Sequence, residues 1–165
     1  MWSTSLPAAV ANAHDAGYTA GNNASNTSSN KLSNSDFLRR YARRLLRAAR
    51  ADEPSKALPV LRRIIAMQVM PELRVTELYA VRASIQLKHV LHMLAHELDF
   101  TAWESCKQSI DRMPTQMLDR YRLELGMFGD YQQNWFADAA TALDWQRQNG
   151  GYLIKYGQQA VAILA

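Results

Sequence analysis

The stretch from Thr76 to Lys107 predicts two consecutive helices joined by a tight turn. In the first helix, expected over about residues 76–98, apolar residues recur at helical spacing, which is typical of a helix packed in a core. The main stripe comprises Ala80, Ala83, Leu87, Leu91, Leu94 and Leu98. A second stripe comprises Leu78, Val81 and Ile85. Because a helix that is apolar on two sides packs between neighbours, we expect this one to be the central helix of a bundle.

The turn after this helix is expected at Asp99. Aspartate is one of the few non-glycine residues that adopt the left-handed conformation in which many helices end. Thr101 followed by Glu104 has the spacing of a capping box, which predicts that the next helix begins there and ends before Pro114. Trp103, at this corner, is expected to pack the two helices together.

Two more helices are predicted upstream. Ser33 has the spacing of an N-cap for a helix that runs to about Ala51, and Pro54 separates it from a second helix over about residues 56–69. The first of these helices is amphipathic. Its apolar side comprises Phe37, Leu38, Tyr41, Leu45, Ala48 and Ala49. Its opposite side comprises Arg39, Arg40, Arg43, Arg44, Arg47 and Arg50.

Beyond Pro114 the pattern changes to short apolar runs separated by turn residues. These runs predict strands over about residues 120–128, 131–136, 152–156 and 160–164, with one helix over about residues 139–148 after Asp138. The predicted fold class is therefore α+β and mainly α, with an N-terminal four-helix bundle (residues 32–114) and a small β-rich C-terminal unit with one helix (residues 115–165) packed on it. The polar, low-complexity residues 1–31 are predicted to form a disordered arm.

Bulk features narrow the class of protein. No apolar run approaches the 18 residues of a membrane span, and the N-terminus lacks the pattern of a signal peptide. The single cysteine, Cys106, cannot form an internal disulfide, which favours a cytoplasmic protein. Near the start of a helix, its thiol is either activated, with His92 or His96 as a base, or simply packed.

The arginine side of the first helix is the first candidate for function. Residues 36–63 contain nine basic and three acidic side chains, whereas residues 64–165 contain nine and eleven, so the positive charge is concentrated in one segment. Arginine binds phosphate and carboxylate groups in a planar, bidentate manner. The pattern therefore predicts a nucleic-acid or acidic protein partner, although a solvated helix face alone also explains it.

Three histidines, His89, His92 and His96, form the second candidate. Their spacing places the rings on one side of a helix, where they could bind a divalent metal ion with a further ligand from the following turn. The alternative is that they are half-buried polar residues. No zinc-protease motif, cysteine pair or phosphate-binding loop accompanies them, so no cofactor is predicted apart from that metal ion.

The segment AHELDFTAWESCK, from Ala95 to Lys107, resembles a short bacterial helix-turn-helix segment of the form A-x-E-x-G-F-x-x-W-x-x-x-K. That segment is found in small proteins of plasmids and integrating elements, some of them labelled glyoxalase-related. WFADAATALDWQRQNGGYLIKY near the C-terminus also resembles the tail of such proteins. Asp99 stands where the pattern has glycine, and the resemblance transfers no catalytic residue. It implies a bacterial accessory protein of a mobile element.

Together these features favour a non-enzymatic accessory or regulatory protein that binds nucleic acid or an acidic protein through the arginines. A metal-binding protein or metal-dependent enzyme that uses the three histidines is the alternative. A third hypothesis is an adaptor that pairs with a partner, or with a second copy, through the edge of its last strand.

Overall fold

The computed structural model describes residues 32–164, which form two compact units, residues 32–114 and 115–164. The described chain is mainly helical and ends in a three-stranded antiparallel sheet. The predicted α+β, mainly α class is confirmed. The predicted disordered arm lies outside the described residues. Within residues 32–164, every helix is too short or too polar to span a lipid bilayer.

The first unit consists of helices joined by short turns. The α-helices described in it are α1 (Asn34–Ala49), α2 (Pro54–Ala66), α3 (Val75–Ala80), α4 (Leu87–Glu97) and α5 (Trp103–Ile110). Ser33 caps α1 as predicted, because its hydroxyl accepts the backbone N–H of Asp36 at 3.1 Å. The apolar side of α1 is buried at Leu38, Tyr41 and Leu45, which confirms the predicted amphipathic helix.

The predicted break between α1 and α2 is present, but α2 begins earlier than predicted, with Pro54 as its first residue. A proline is tolerated there, since the first N–H groups of a helix have no partner within the helix. Pro59 lies inside α2, in its second turn. Its ring lies on the exposed side, while Leu61 and Ile64 are fully buried.

The predicted single helix over residues 76–98 is wrong. It is divided into α3, a 3₁₀ turn (Arg82–Ser84) and α4, with Ile85 in an extended conformation between them. The carbonyl of Ile85 accepts two hydrogen bonds from the Arg50 guanidinium, and its side chain is fully buried. This tertiary contact replaces the helical hydrogen bond at the break. Ala80 and Ala83, predicted in the core stripe, are exposed, whereas Leu91 and Leu94 are buried.

The corner between α4 and α5 is built on a left-handed residue. Asp99 has φ +64°, as predicted, and the N–H of Phe100 donates to the carbonyl of Ala95 at 2.9 Å. The predicted cap at Thr101 is wrong: α5 is preceded by Ala102, which has no side-chain cap. The carbonyl of Thr101 instead lies 3.2 Å from Nε2 of His96, so this residue belongs to the turn and α5 begins later.

Substituting Asp99→Gly is expected to stabilise the protein by about 0.5–1 kcal/mol, because glycine adopts a positive φ without the steric cost that a β-carbon imposes. Urea denaturation followed by circular dichroism measures the change. Lys107→Gly, at an exposed position inside α5, is the control and should destabilise by about 1 kcal/mol. Destabilisation by Asp99→Gly would show that the aspartate side chain contributes more than its backbone conformation costs.

The second unit begins with a 3₁₀ turn and a short helix. Its elements are the turn Thr115–Leu118, α6 (Asp119–Glu124), β1 (Gln132–Phe136), α7 (Ala139–Asn149), β2 (Tyr152–Tyr156) and β3 (Gln159–Leu164). The strand predicted over residues 120–128 is wrong, because α6 lies there and buries Tyr121. The other predicted elements are confirmed, including the cap of α7, in which the Asp138 carboxylate accepts the N–H of Thr141 at 2.8 Å.

The sheet has the order β1-β3-β2, with Val161 of β3 opposite both Trp135 and Ile154. One face packs around Phe128 and the other around Ala142 of α7. Since β3 is paired on both sides, the prediction that it offers a free edge to a partner or a second copy is wrong. Short apolar runs between turn residues predicted the positions of these strands in the sequence, but not their order in the sheet.

Candidate functional site

The six arginines on the polar side of α1 fall into two groups. Arg40, Arg43, Arg44 and Arg47 are exposed, and within residues 32–164 they form no hydrogen bond or ion pair. We call these four residues the arginine surface. Spacings of three, four and seven residues place them within about 100° of helix circumference and along about 10 Å of helix axis. The surface is therefore a compact array of guanidinium groups facing water.

Arg39 and Arg50, predicted as part of the same binding face, contribute to the packing of the unit. The guanidinium of Arg39 lies 5.9 Å from the ring centre of Trp103, in a cation–π contact. Arg50 binds the carbonyl of Ile85 at the break before α4. The amphipathic pattern could not distinguish these two from the other arginines, since both contacts join residues far apart in sequence.

The first turn of α1 is held by the end of α5. The Asn34 side chain donates to the carbonyls of Ile110 and Met113 at 2.8 and 2.9 Å. The backbone N–H and hydroxyl of Ser35 donate to the two carboxylate oxygens of Asp111 at 2.7 and 2.8 Å. These bonds, first among them the backbone N–H of Ser35, hold the pKa of Asp111 below its usual value. The helix that carries the arginine surface is therefore held at its N-terminus by hydrogen bonds to residues 110–113.

The three predicted metal ligands lie on α4, and all are half-buried. Nδ1 of His89 accepts the backbone N–H of Gln86 at 3.2 Å, and the rings of His92 and His96 lie 4.3 Å apart between centres. Burial first, and then neighbouring positive charge, lower the pKa of both His89 and His92, so these rings are neutral at pH 7. Within the described residues, no group of three or more His, Cys, Asp or Glu side chains is arranged to hold a metal ion. The metal site stays a prediction from spacing.

Two of these histidines, His89 and His92, line a cleft that the sequence did not predict. Its volume is about 370 Å³, in the lower part of the range of small-molecule sites. The lining residues are Val69, Lys88, His89, Leu91, His92, Trp103 and Glu104. They come from α4, α5 and the turn after α2, so their proximity depends on the corner at Asp99. The sequence singled out the histidines and the tryptophan separately, but held no signal that they meet in one cavity.

Cys106 is fully buried in α5. Burial, and then the charge of Asp111, raise its pKa to about 11. The hypothesis of an activated thiol is therefore wrong, and the alternative of a packed cysteine is correct. Position near a helix start lowers a thiol pKa only where the sulfur is accessible, and here burial outweighs it.

We expect Cys106 in the native protein to resist a soluble disulfide reagent at pH 8, because it is buried and almost entirely protonated. The absorbance of the released thiolate measures the reaction. The urea-unfolded chain, as the control, should react at once with one equivalent of reagent, since the chain has one cysteine. Equally fast reaction of the native protein would contradict the burial of this side chain.

No family model, curated protein or solved structure matches this chain. The resemblance of Ala95–Lys107 to proteins of mobile elements therefore stays an expectation from the sequence.

Proposed function

We propose that this protein is a non-enzymatic accessory protein that binds the phosphate backbone of nucleic acid through the arginine surface. The observation that carries the proposal is that Arg40, Arg43, Arg44 and Arg47 are exposed, free of partners in the described chain and fixed on one helix. Guanidinium groups bind phosphate oxygens in a bidentate manner, and each contact releases counterions from the nucleic acid.

The distribution of charge supports this choice. Arg63 pairs with Glu97, and Arg122 pairs with Asp119, so the charges of these two arginines are balanced within the protein. The four charges of the arginine surface are not balanced in this way. Because contacts to phosphates carry no sequence information, we expect binding that depends strongly on salt and weakly on base sequence. A role in a bacterial mobile element rests on the resemblance alone.

The test is a salt titration of binding to a fluorescent 20-nucleotide single strand, measured by anisotropy. The wild-type protein should bind more tightly than about 100 μM at 50 mM salt, and about 50-fold more weakly at 200 mM if four phosphates are neutralised. The variant with Arg40, Arg43, Arg44 and Arg47 all changed to Gln should bind at least tenfold more weakly at 50 mM salt. Its dependence on salt should almost disappear.

A matched control removes four charges elsewhere, at exposed Arg62, Lys107, Arg112 and Lys155, and should bind nearly as the wild type does. If the wild-type protein binds the single strand more weakly than about 100 μM at 50 mM salt, its affinity is below ordinary non-specific affinity and the proposal is rejected. Polyglutamate is the second ligand. Tighter binding of polyglutamate than of the nucleic acid, with the same dependence on the arginines, would identify an acidic protein as the partner instead.

A further inference from the structure

The cleft on α4 lies next to the helix that carries the arginine surface. Trp103 forms one wall of the cleft, and the guanidinium of Arg39 lies 5.9 Å from its ring centre. Arg39 is on α1, one turn before Arg43 and two turns before Arg47, so these three residues form a ridge along the helix. The ridge therefore begins at the wall of the cleft and continues into the arginine surface.

The chemistry of the cleft suits a flat, uncharged, polar ring. The indole of Trp103 offers a planar surface for stacking, and the side chains of Val69 and Leu91 make the lining partly apolar. Lys88 and Glu104 bring one charge of each sign, so the cleft has no net charge that would favour an organic acid or an amine. A ligand that offers both hydrogen-bond donors and acceptors on one ring matches this pair.

The tautomer of His89 adds a fixed donor. Its Nδ1 accepts the N–H of Gln86 at 3.2 Å, and a ring nitrogen that accepts a hydrogen bond carries no proton, so the proton is on Nε2. Nucleobases carry ring nitrogen and carbonyl acceptors for such a donor, and exocyclic amino groups for a carboxylate such as that of Glu104. A nucleobase is thus both flat enough for the indole and polar enough for the remaining side chains.

We propose that the cleft binds one unpaired base of a single strand whose phosphates lie on the arginine surface. This inference rests on the proposed function and adds to it the class of ligand, which is single-stranded nucleic acid. A base inside a duplex is stacked and paired and has to be displaced before it can enter a cleft. Stacking on an aromatic side chain tolerates all four bases, so a weak preference for base sequence is expected.

The test compares two single strands of equal length and charge, one with normal bases and one abasic throughout, by fluorescence anisotropy at 50 mM salt. The full-length wild-type protein should bind the normal strand at least about fivefold more tightly, the smallest effect expected of one stacked base. Two variants remove the base site in different ways. Trp103→Leu removes the stacking wall, and Val69→Trp fills the cleft from the turn after α2 while leaving Trp103 in place.

Both variants should bind the two strands equally, with the affinity that the wild type has for the abasic strand. Circular dichroism and thermal unfolding show whether each variant is folded, and Val69→Trp keeps the test valid if Trp103→Leu is not. Equal binding of the two strands by the wild type overturns the base site and leaves the arginine proposal standing. So does a preference for the normal strand that survives Val69→Trp. Failure of the wild type to bind either strand overturns the proposed function itself.

Discussion

Replacing Arg63 by Met is expected to lower the free energy of unfolding by about 3 kcal/mol, because it leaves a buried carboxylate without its main partner. Nε and Nη2 of Arg63 donate to the two carboxylate oxygens of Glu97, each at 2.8 Å, and the Glu97 side chain is only 3% exposed. Nη1 of Arg63 also donates to the hydroxyl of Tyr41 at 3.1 Å. One guanidinium therefore joins α2 to both α4 and α1.

Arg62→Met is the matched control for this prediction. Arg62 is the preceding residue of α2, is exposed, and forms no hydrogen bond or ion pair within the described residues, so its replacement should change the free energy of unfolding by less than about 0.5 kcal/mol. Urea denaturation at pH 7 measures both variants, and hydrogen exchange of α4 amides locates the effect.

A second substitution separates the lost charge partner from the lost side-chain packing. Adding Glu97→Gln to Arg63→Met should recover at least about 1 kcal/mol, since a neutral amide is less costly to bury than an unpaired carboxylate. If Arg63→Met and Arg62→Met have the same free energy of unfolding, the Arg63–Glu97 pair stabilises the protein no more than an exposed side chain does.

The elements that were predicted correctly from the sequence are those set by interactions between residues close together in the chain. The start of α1 depends on Ser33 and Asp36, and the start of α7 on Asp138 and Thr141, and in each case the bond spans three residues. Asp99 likewise ends α4 through its own backbone preference. These signals are complete within a few residues of sequence, so the sequence alone predicted them.

Elements that depend on distant contacts were not predictable in this way. The break before α4 depends on Arg50, 35 residues from its acceptor at Ile85. The partial alternation of apolar residues around Arg122 predicts a strand. In the structure this segment is helical, and Arg122 donates a hydrogen bond of 2.7 Å to Asp119, the residue three positions before it. Apolar periodicity in so short a segment does not distinguish a helix from a strand.

In the candidate site, too, local features were predicted from the sequence and contacts between distant residues were not. The sequence identified all six arginines of α1, because an amphipathic helix follows from spacing alone. It could not show that Arg39 lies on Trp103 or that Arg50 binds Ile85, since those contacts arise only when the helices pack. The cleft was missed for the same reason. Its wall at Trp103 and its histidines lie on two helices whose relative position is set by the turn at Asp99.

Replacing Asp119 by Ala is expected to destabilise the unit of residues 115–164 by about 3 kcal/mol. The Asp119 carboxylate is buried, accepts a hydrogen bond from the hydroxyl of Tyr152, and lies 2.7 Å from Nη1 of Arg122. The substitution leaves the buried hydroxyl of Tyr152 without its acceptor and removes one carboxylate contact of the Arg122 guanidinium, and each change costs about 1–3 kcal/mol. It also removes the bond that ties α6 to β2.

Tyr152→Phe is the matched control, because it removes only the hydroxyl and leaves the Asp119–Arg122 pair in place. It should cost less than Asp119→Ala, about 1–2 kcal/mol. In the double variant the phenyl ring no longer needs an acceptor, so the combined loss should be smaller than the sum of the two single losses by about 1 kcal/mol. Additive losses would mean that the two side chains stabilise the unit independently.

The pH dependence tests the same contact from the other side. Burial first, and then the bond to Asp119, raise the pKa of Tyr152 well above 10. The unfolded chain, in which tyrosine has its ordinary pKa near 10, therefore loses this proton more readily than the native protein does. The stabilisation from Tyr152 is present in full below about pH 10 and decreases as the pH rises further. Unfolding measured at pH 8 and pH 10.5 should show the advantage of the wild type over Tyr152→Phe shrinking at the higher pH. A constant advantage would place the phenol in contact with solvent rather than against a buried carboxylate.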